Sequence, residues 1–193
     1  MTRAVIAVLA FAGALAAPVL PSATSFQVSP DVPIGLSWRS VGPGGTGTRI
    51  VDFAVVEQTP RIVYAATASS GVWKTVNAGT TWVPLFQHES SIALGGIAVS
   101  QSHPDVVWAS TGEPNMRNLR SSSWGSGIYK STDAGQSWQH MGLADAQHMG
   151  RVVIHPTNPD VVFATVLGSM WQDDPQKNAV RGLYKKTDGG RTW

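Results

Sequence analysis

Gly127-Ile128-Tyr129-Lys130-Ser131-Thr132-Asp133-Ala134-Gly135-Gln136-Ser137-Trp138 decides the fold, because the chain says it three times. The earlier copy is Gly71-Val72-Trp73-Lys74-Thr75-Val76-Asn77-Ala78-Gly79-Thr80-Thr81-Trp82. The later one is Gly182-Leu183-Tyr184-Lys185-Lys186-Thr187-Asp188-Gly189-Gly190-Arg191-Thr192-Trp193. Their closing tryptophans stand 56 and 55 residues apart. A fixed period of that size marks a repeat architecture.

Two further elements precede each copy. Pro60–Ala65, Pro104–Ala109 and Pro159–Ala164 each carry a turn former followed by β-branched and aromatic residues. Ile50–Val56, Gly96–Ser100 and Val152–His155 come before those. Such runs, bounded by Gly, Pro, Asn and Asp, read as strands. One repeat is then strand A, a turn, strand B, a variable loop, strand C, a tight turn and strand D starting at Trp. Four antiparallel strands at this period describe a β-propeller blade, so the fold class is all-β. The repeats run over about 49–87, 93–143 and 149–193, within a partial propeller at 37–193. Trp38-Arg39-Ser40-Val41-Gly42 matches a D strand with no C strand ahead of it, and strand 37–42 is expected to close the last blade. Propellers close with roughly 4–8 blades, so about three incomplete blades are expected to be an N-terminal fragment, with the remaining blades of the full-length chain as its partners.

The first 23 residues read differently. Arg3 precedes a 14-residue apolar run, Ala4–Ala17, and small residues and prolines follow. That is the layout of a secretory signal peptide, with cleavage after Ala16 or Ala23. The run is short of the ~20 residues that span a bilayer. Residues 24–36 read as a linker, and the mature protein is expected to be secreted or periplasmic, with no membrane span after cleavage. The 14 Lys and Arg against 12 Asp and Glu form no basic stripe, which argues against a nucleic-acid partner. With no cysteine there are no disulfides or thiolate metal sites. No cofactor or metal motif is present.

The C–D turn, Ser/Thr-x-Asp-x-Gly-x-Ser/Thr-Trp, resembles the Asp-box, or bacterial neuraminidase repeat. The resemblance implies a structural role for Asn77, Gly79, Trp82, Asp133, Gly135, Trp138, Asp188, Gly190 and Trp193. Asp and Asn cap their own turn's amides, and Gly supplies the backbone conformation. The region 37–193 resembles the sortilin-type propellers and their secreted bacterial relatives, often labelled glycosyl hydrolases. The carrying stretches are Trp38–Pro43, Gly47–Ile50, Thr111–Asn115, Trp124–Lys130 and His148–Pro156.

Chain direction alternates through a blade, so the B–C and D–A connections share the face opposite these turns. Variable loops over a constant scaffold are where binding usually resides. On that face Glu113 is the candidate general acid or base. Arg49, Asn115, Arg117, Trp124, His148, Arg151 and Trp171 are candidate ligand-binding residues. Arg49 and Arg151 are expected to open A strands and point into the channel, where a guanidinium can grip a carboxylate, with Glu113 answering their charge. Two readings of function follow. One is a binding module for a peptide or glycan. The other is a glycoside hydrolase whose second carboxylate is expected in the blades missing from this fragment. Xyloglucan-hydrolysing propeller glucanases place an Asp in the first B–C loop, and here the matching position is Ala68. Sialidases carry a Phe/Tyr-Arg-Ile-Pro run, of which Thr48-Arg49-Ile50-Val51 keeps Arg-Ile.

Overall fold

Eleven strands in three antiparallel sheets make up the described part of the protein. The computed structural model describes residues 48–115, 122–169, 178–189 and 192–193. The signal-peptide, linker and 37–42 strand expectations, and Arg117, Trp171 and Gly190, lie outside these residues. Sheet A holds β1 (Ile50–Val55), β2 (Val63–Thr67), β3 (Val72–Thr75) and β4 (Val83–Pro84) in sequential order. Sheet B holds β5 (Leu94–Val99), β6 (Val107–Thr111), β7 (Ile128–Ser131) and β8 (Gln139–His140) in the same order. Sheet C holds β9 (Met149–Ile154), β10 (Val162–Val166) and β11 (Gly182–Lys186). No helix occurs among the described residues.

The registers repeat from sheet to sheet: Tyr64 faces Lys74, Trp108 faces Lys130 and Phe163 faces Lys185. Two boundaries differ from the sequence reading. β5 and β9 start at Leu94 and Met149, earlier than the expected Gly96 and Val152. The reason is proximity: a Cβ on Gly95 would lie 1.9 Å from the carbonyl oxygen of Met149. A Gly-Gly pair that weakens an isolated strand is required here, where two backbones meet near the ring axis. The D strands are only two residues long, β4 and β8, rather than full strands from Trp82 and Trp138.

Alternation along each strand divides the core into two layers. Between sheets A and B lie Ala54, Tyr64, Val72, Phe86, Ile97, Val107, Ala109 and Tyr129. Between B and C lie Trp108, Ile128, Met149, Val152, Val162 and Ala164. The middle sheet is therefore buried on both faces, and all five residues of β6 are inaccessible.

Polar staples cross each layer. Trp138 donates its indole N–H to the carbonyl of Leu85 at 2.9 Å, and Trp193 to that of Met141 at 2.8 Å. Lys74 donates to the carbonyl of Ala134 and Lys130 to that of Gly189, each at 3.0 Å. The lysines' acceptors sit in the C–D turns of the next sheet, which are themselves tied off. Asp133 accepts from the amide of Ser137 at 2.9 Å and from the hydroxyl of Ser131 at 2.7 Å. Asn77 accepts from the amide of Thr81, and Asp188 from that of Thr192. The Ser137 hydroxyl and amide, then Ser131, hold the Asp133 carboxyl at about 2, well below the usual carboxylate value. Ala134 and Gly135 take left-handed φ values of 59° and 92° to make the turn.

The approach of β5 to β9 yields a direct expectation. Gly95→Ala cannot fit without moving Met149, so it lowers unfolding free energy by more than about 3 kcal/mol. Urea denaturation measures this, and an unchanged midpoint would mean that the inner strands are not packed backbone to backbone.

Candidate functional site

Three inner strands, β1, β5 and β9, come together where the sheets converge, and the candidate residues lie along and above them. Arg49 immediately precedes β1. Glu113 follows β6, just after Gly112, whose amide donates to Ala93 and whose carbonyl accepts from Met149. That peptide ties the starts of β5 and β9 together and fixes where Glu113 emerges.

The two residues form a bidentate ion pair. Arg49 Nε donates to Glu113 Oε1 at 3.1 Å, and Nη2 reaches both Oε1 and Oε2, the latter at 2.6 Å. The Glu113 side chain is 3% exposed and that of Arg49 is 48% exposed. The carboxylate is thus the buried anchor, and the guanidinium is the face shown to solvent. The hydrogen bonds it donates to Glu113, and the charge of that carboxylate, raise the Arg49 pKa further, so it stays cationic at any accessible pH. Its Nη1 has no partner among the described residues.

His148 lies one residue ahead of β9 and is completely buried. Its Nδ1 stands 3.0 Å from the carbonyl of Gly168. A carbonyl only accepts, so Nδ1 carries the proton and Nε2 keeps its lone pair. That Nε2 and the Thr48 hydroxyl are buried without a hydrogen-bond partner among the described residues. Burial lowers the His148 pKa, with the Gly168 carbonyl and the charge of Glu113 working against it.

Arg151 goes elsewhere. It is the third residue of β9 rather than the opening of the strand, and its partner is Asp52, at 3.8 Å. The other oxygen of Asp52 accepts the amide of Ile97 at 3.3 Å. One carboxylate on β1 therefore joins the inner strands of all three sheets. Asp52 was missed in the sequence reading, although a lone acid within Ile50-Val51-Asp52-Phe53-Ala54-Val55 is the signal that could have found it. Among the described residues each guanidinium of the inner ring is thus answered by a carboxylate, Arg49 by Glu113 and Arg151 by Asp52 rather than by the expected Glu113. Trp124 is 59% exposed on the loop after β6, its carbonyl held by Ser91 at 2.8 Å. Asn115 is half-buried on the same loop. Asn77, Asp133 and Asp188 follow the far ends of β3, β7 and β11, at the opposite edge of the sheets.

No protein-family model matches the chain, and no curated protein does. Solved structures do. An ancestral GH74 enzyme superposes with a TM-score of 0.55 at 18% identity, covering 75% of this chain and 18% of that one. The GH74 enzyme of Niastella koreensis gives 0.52 at 17% identity, over 74% and 22% of the two chains. YCF48 bound to D1 peptide gives 0.52 at 15% identity, over 77% and 41%. These are β-propellers, so the chain has the β-propeller fold, with antiparallel blades. It spans between 18% and 41% of the length of those structures.

Removing one member of the Arg49–Glu113 pair should cost more than removing both. Arg49→Ala strands a buried carboxylate and should destabilise by about 1–3 kcal/mol. Combining it with Glu113→Gln should recover part of that loss in a double-mutant cycle followed by urea unfolding. Strict additivity would show that the pair has no energetic coupling.

Proposed function

We propose that this chain is part of a secreted, sortilin-like Asp-box propeller and acts as a binding module for a peptide or glycan on its loop face. The turn bonds at Asn77, Asp133 and Asp188 support the Asp-box reading. The observation that carries the binding reading is the Arg49–Glu113 pair. A buried carboxylate holds a half-exposed guanidinium in a fixed orientation, and its Nη1 edge meets no acceptor among the described residues. The exposed indole of Trp124 on the same loop face offers an apolar ring for stacking. Because both inner guanidiniums are already neutralised, a neutral polar ligand with hydroxyl or carbonyl acceptors suits the site better than an acidic one. The similar structures include a GH74 xyloglucanase and YCF48 bound to D1 peptide, so both ligand classes are worth assay.

The enzyme reading asks Glu113 to donate or take a proton. Both of its oxygens already accept from Arg49, and the first B–C loop has Ala68 where a glucanase carries its Asp. In the binding reading Glu113 therefore serves as a positioning residue for Arg49.

Isothermal titration with xyloglucan and cello-oligosaccharides, and with a displayed peptide library, tests the proposal. Arg49→Lys keeps the charge but loses the fork geometry, and Trp124→Ala removes the stacking ring. Each should weaken binding about tenfold with little change in melting temperature. Hydrolysis of an oligosaccharide that disappears in Glu113→Gln would instead establish the glycoside hydrolase reading.

A further inference from the structure

Trp124 is the one exposed tryptophan among the described residues. Trp73, Trp138 and Trp193 each give the indole N–H to a carbonyl. That of Trp124 meets no acceptor among the described residues. An exposed ring on a loop is ordinarily free to swing, and ordering it when a ligand binds costs affinity. The backbone beneath this ring is instead held at every step.

Ser91 donates its hydroxyl to the Trp124 carbonyl at 2.8 Å. The next amide, that of Gly125, donates to the carbonyl of Gln147 at 2.7 Å. A Cβ on Gly125 would run into the Thr111–Gly112 peptide, so only glycine lets the segment lie this close to sheet B. The Ser126 amide donates to the Thr111 hydroxyl at 2.8 Å. The Ser126 carbonyl lies 2.7 Å from His140 Nε2, which donates because a carbonyl only accepts. On the other side of Trp124, the carbonyl of Ser123 accepts from the amide of Glu113 at 3.2 Å.

The Ser126 side chain closes the clamp. Its hydroxyl stands 2.8 Å from that of Ser90 and 2.8 Å from that of Tyr129, and the last two are 2.7 Å apart. Three hydroxyls in a triangle bring three protons to three contacts, so the cluster is satisfied internally and asks nothing of a ligand. Its parts come from both sheets. Ser90 and Ser91 lie between β4 and β5, Ser126 precedes β7, and the buried Tyr129 is the second residue of β7. The Tyr129 ring meets Phe86 and His140 edge to face, which fixes where its hydroxyl stands.

We infer that Ser90, Ser91, Ser126 and Tyr129 are positioning residues that hold Trp124 as a rigid, preformed anchor at the junction of sheets A and B. The inference rests on the loop-face binding reading and adds that the anchoring ring is ordered before a ligand arrives. A preformed anchor avoids the ordering cost, which is how a single exposed aromatic comes to carry much of a contact.

The full 193-residue chain labelled with fluorotryptophan reports the state of the ring without any ligand. The fluorine NMR signal lost in Trp124→Phe identifies Trp124. In Ser91→Ala and in Tyr129→Phe that signal should shift toward its position in urea. The signals of the buried tryptophans should stay in place, which also shows that both variants are folded. Ser91→Thr, which keeps the hydroxyl, should restore the original position. In titrations with cello-oligosaccharides and displayed peptides, Ser91→Ala and Tyr129→Phe should each bind about three- to tenfold more weakly, and Ser91→Thr should bind like the unmodified chain. A Trp124 signal unmoved in both variants overturns the inference, and so does unchanged affinity beside a loosened ring. If the unmodified chain binds neither probe, the binding reading fails, and the fluorine signal alone still decides whether the clamp holds the ring.

Discussion

A β-sheet that is apolar on both sides has to be covered on both sides, and that requirement organises this molecule. β6 leaves no residue accessible. Its odd positions, Val107 and Ala109, belong to one core layer, and Trp108 belongs to the other. No single sheet, and no pair of sheets, satisfies such a strand. Stacking is therefore a condition of stability rather than a consequence of it. The cross-sheet bonds of Trp138, Trp193, Lys74 and Lys130 add direction to this non-directional burial. Each joins a side chain to a backbone carbonyl that the neighbouring turn or D–A connection holds in place.

Convergence of the sheets near the axis imposes the second constraint. The inner strands come so close that side chains must vanish, as at Gly95, or bond across the gap, as at Asp52. A candidate binding surface results from the same convergence. Arg49 enters from one sheet and Glu113 from the next, and neither could be fixed without the other sheet. Stability and site are therefore linked through the contact between sheets A and B.

The sequence made the blades legible because their determinants are local. Strand alternation, the Asp or Asn of the turn and the tryptophan that follows are all read within a dozen residues. The Arg49–Glu113 pairing was legible as a matter of charge balance. Its geometry was not, because Glu113 is placed by Gly112, whose bonds run to two other strands. The partner of Arg151 was not legible at all. Asp52 reaches it across an intervening strand, and only the angle between sheets brings the two together. Lys186 gives a similar lesson. It occupies the turn position that Thr75 and Ser131 fill in the other copies, and it is buried over Trp193 with its ammonium on the carbonyl of Met141. A local motif identified the turn, but the neighbouring sheet determined what that position does.

Amide hydrogen exchange followed by mass spectrometry tests most directly whether two-sided burial governs this fold. Peptides covering β6 and β7 should be the last to exchange. Peptides covering β1 and β11, whose sheets are each covered on one face only among the described residues, should exchange at least about tenfold faster. Equal protection across the three sheets, or β11 outlasting β6, would contradict the account.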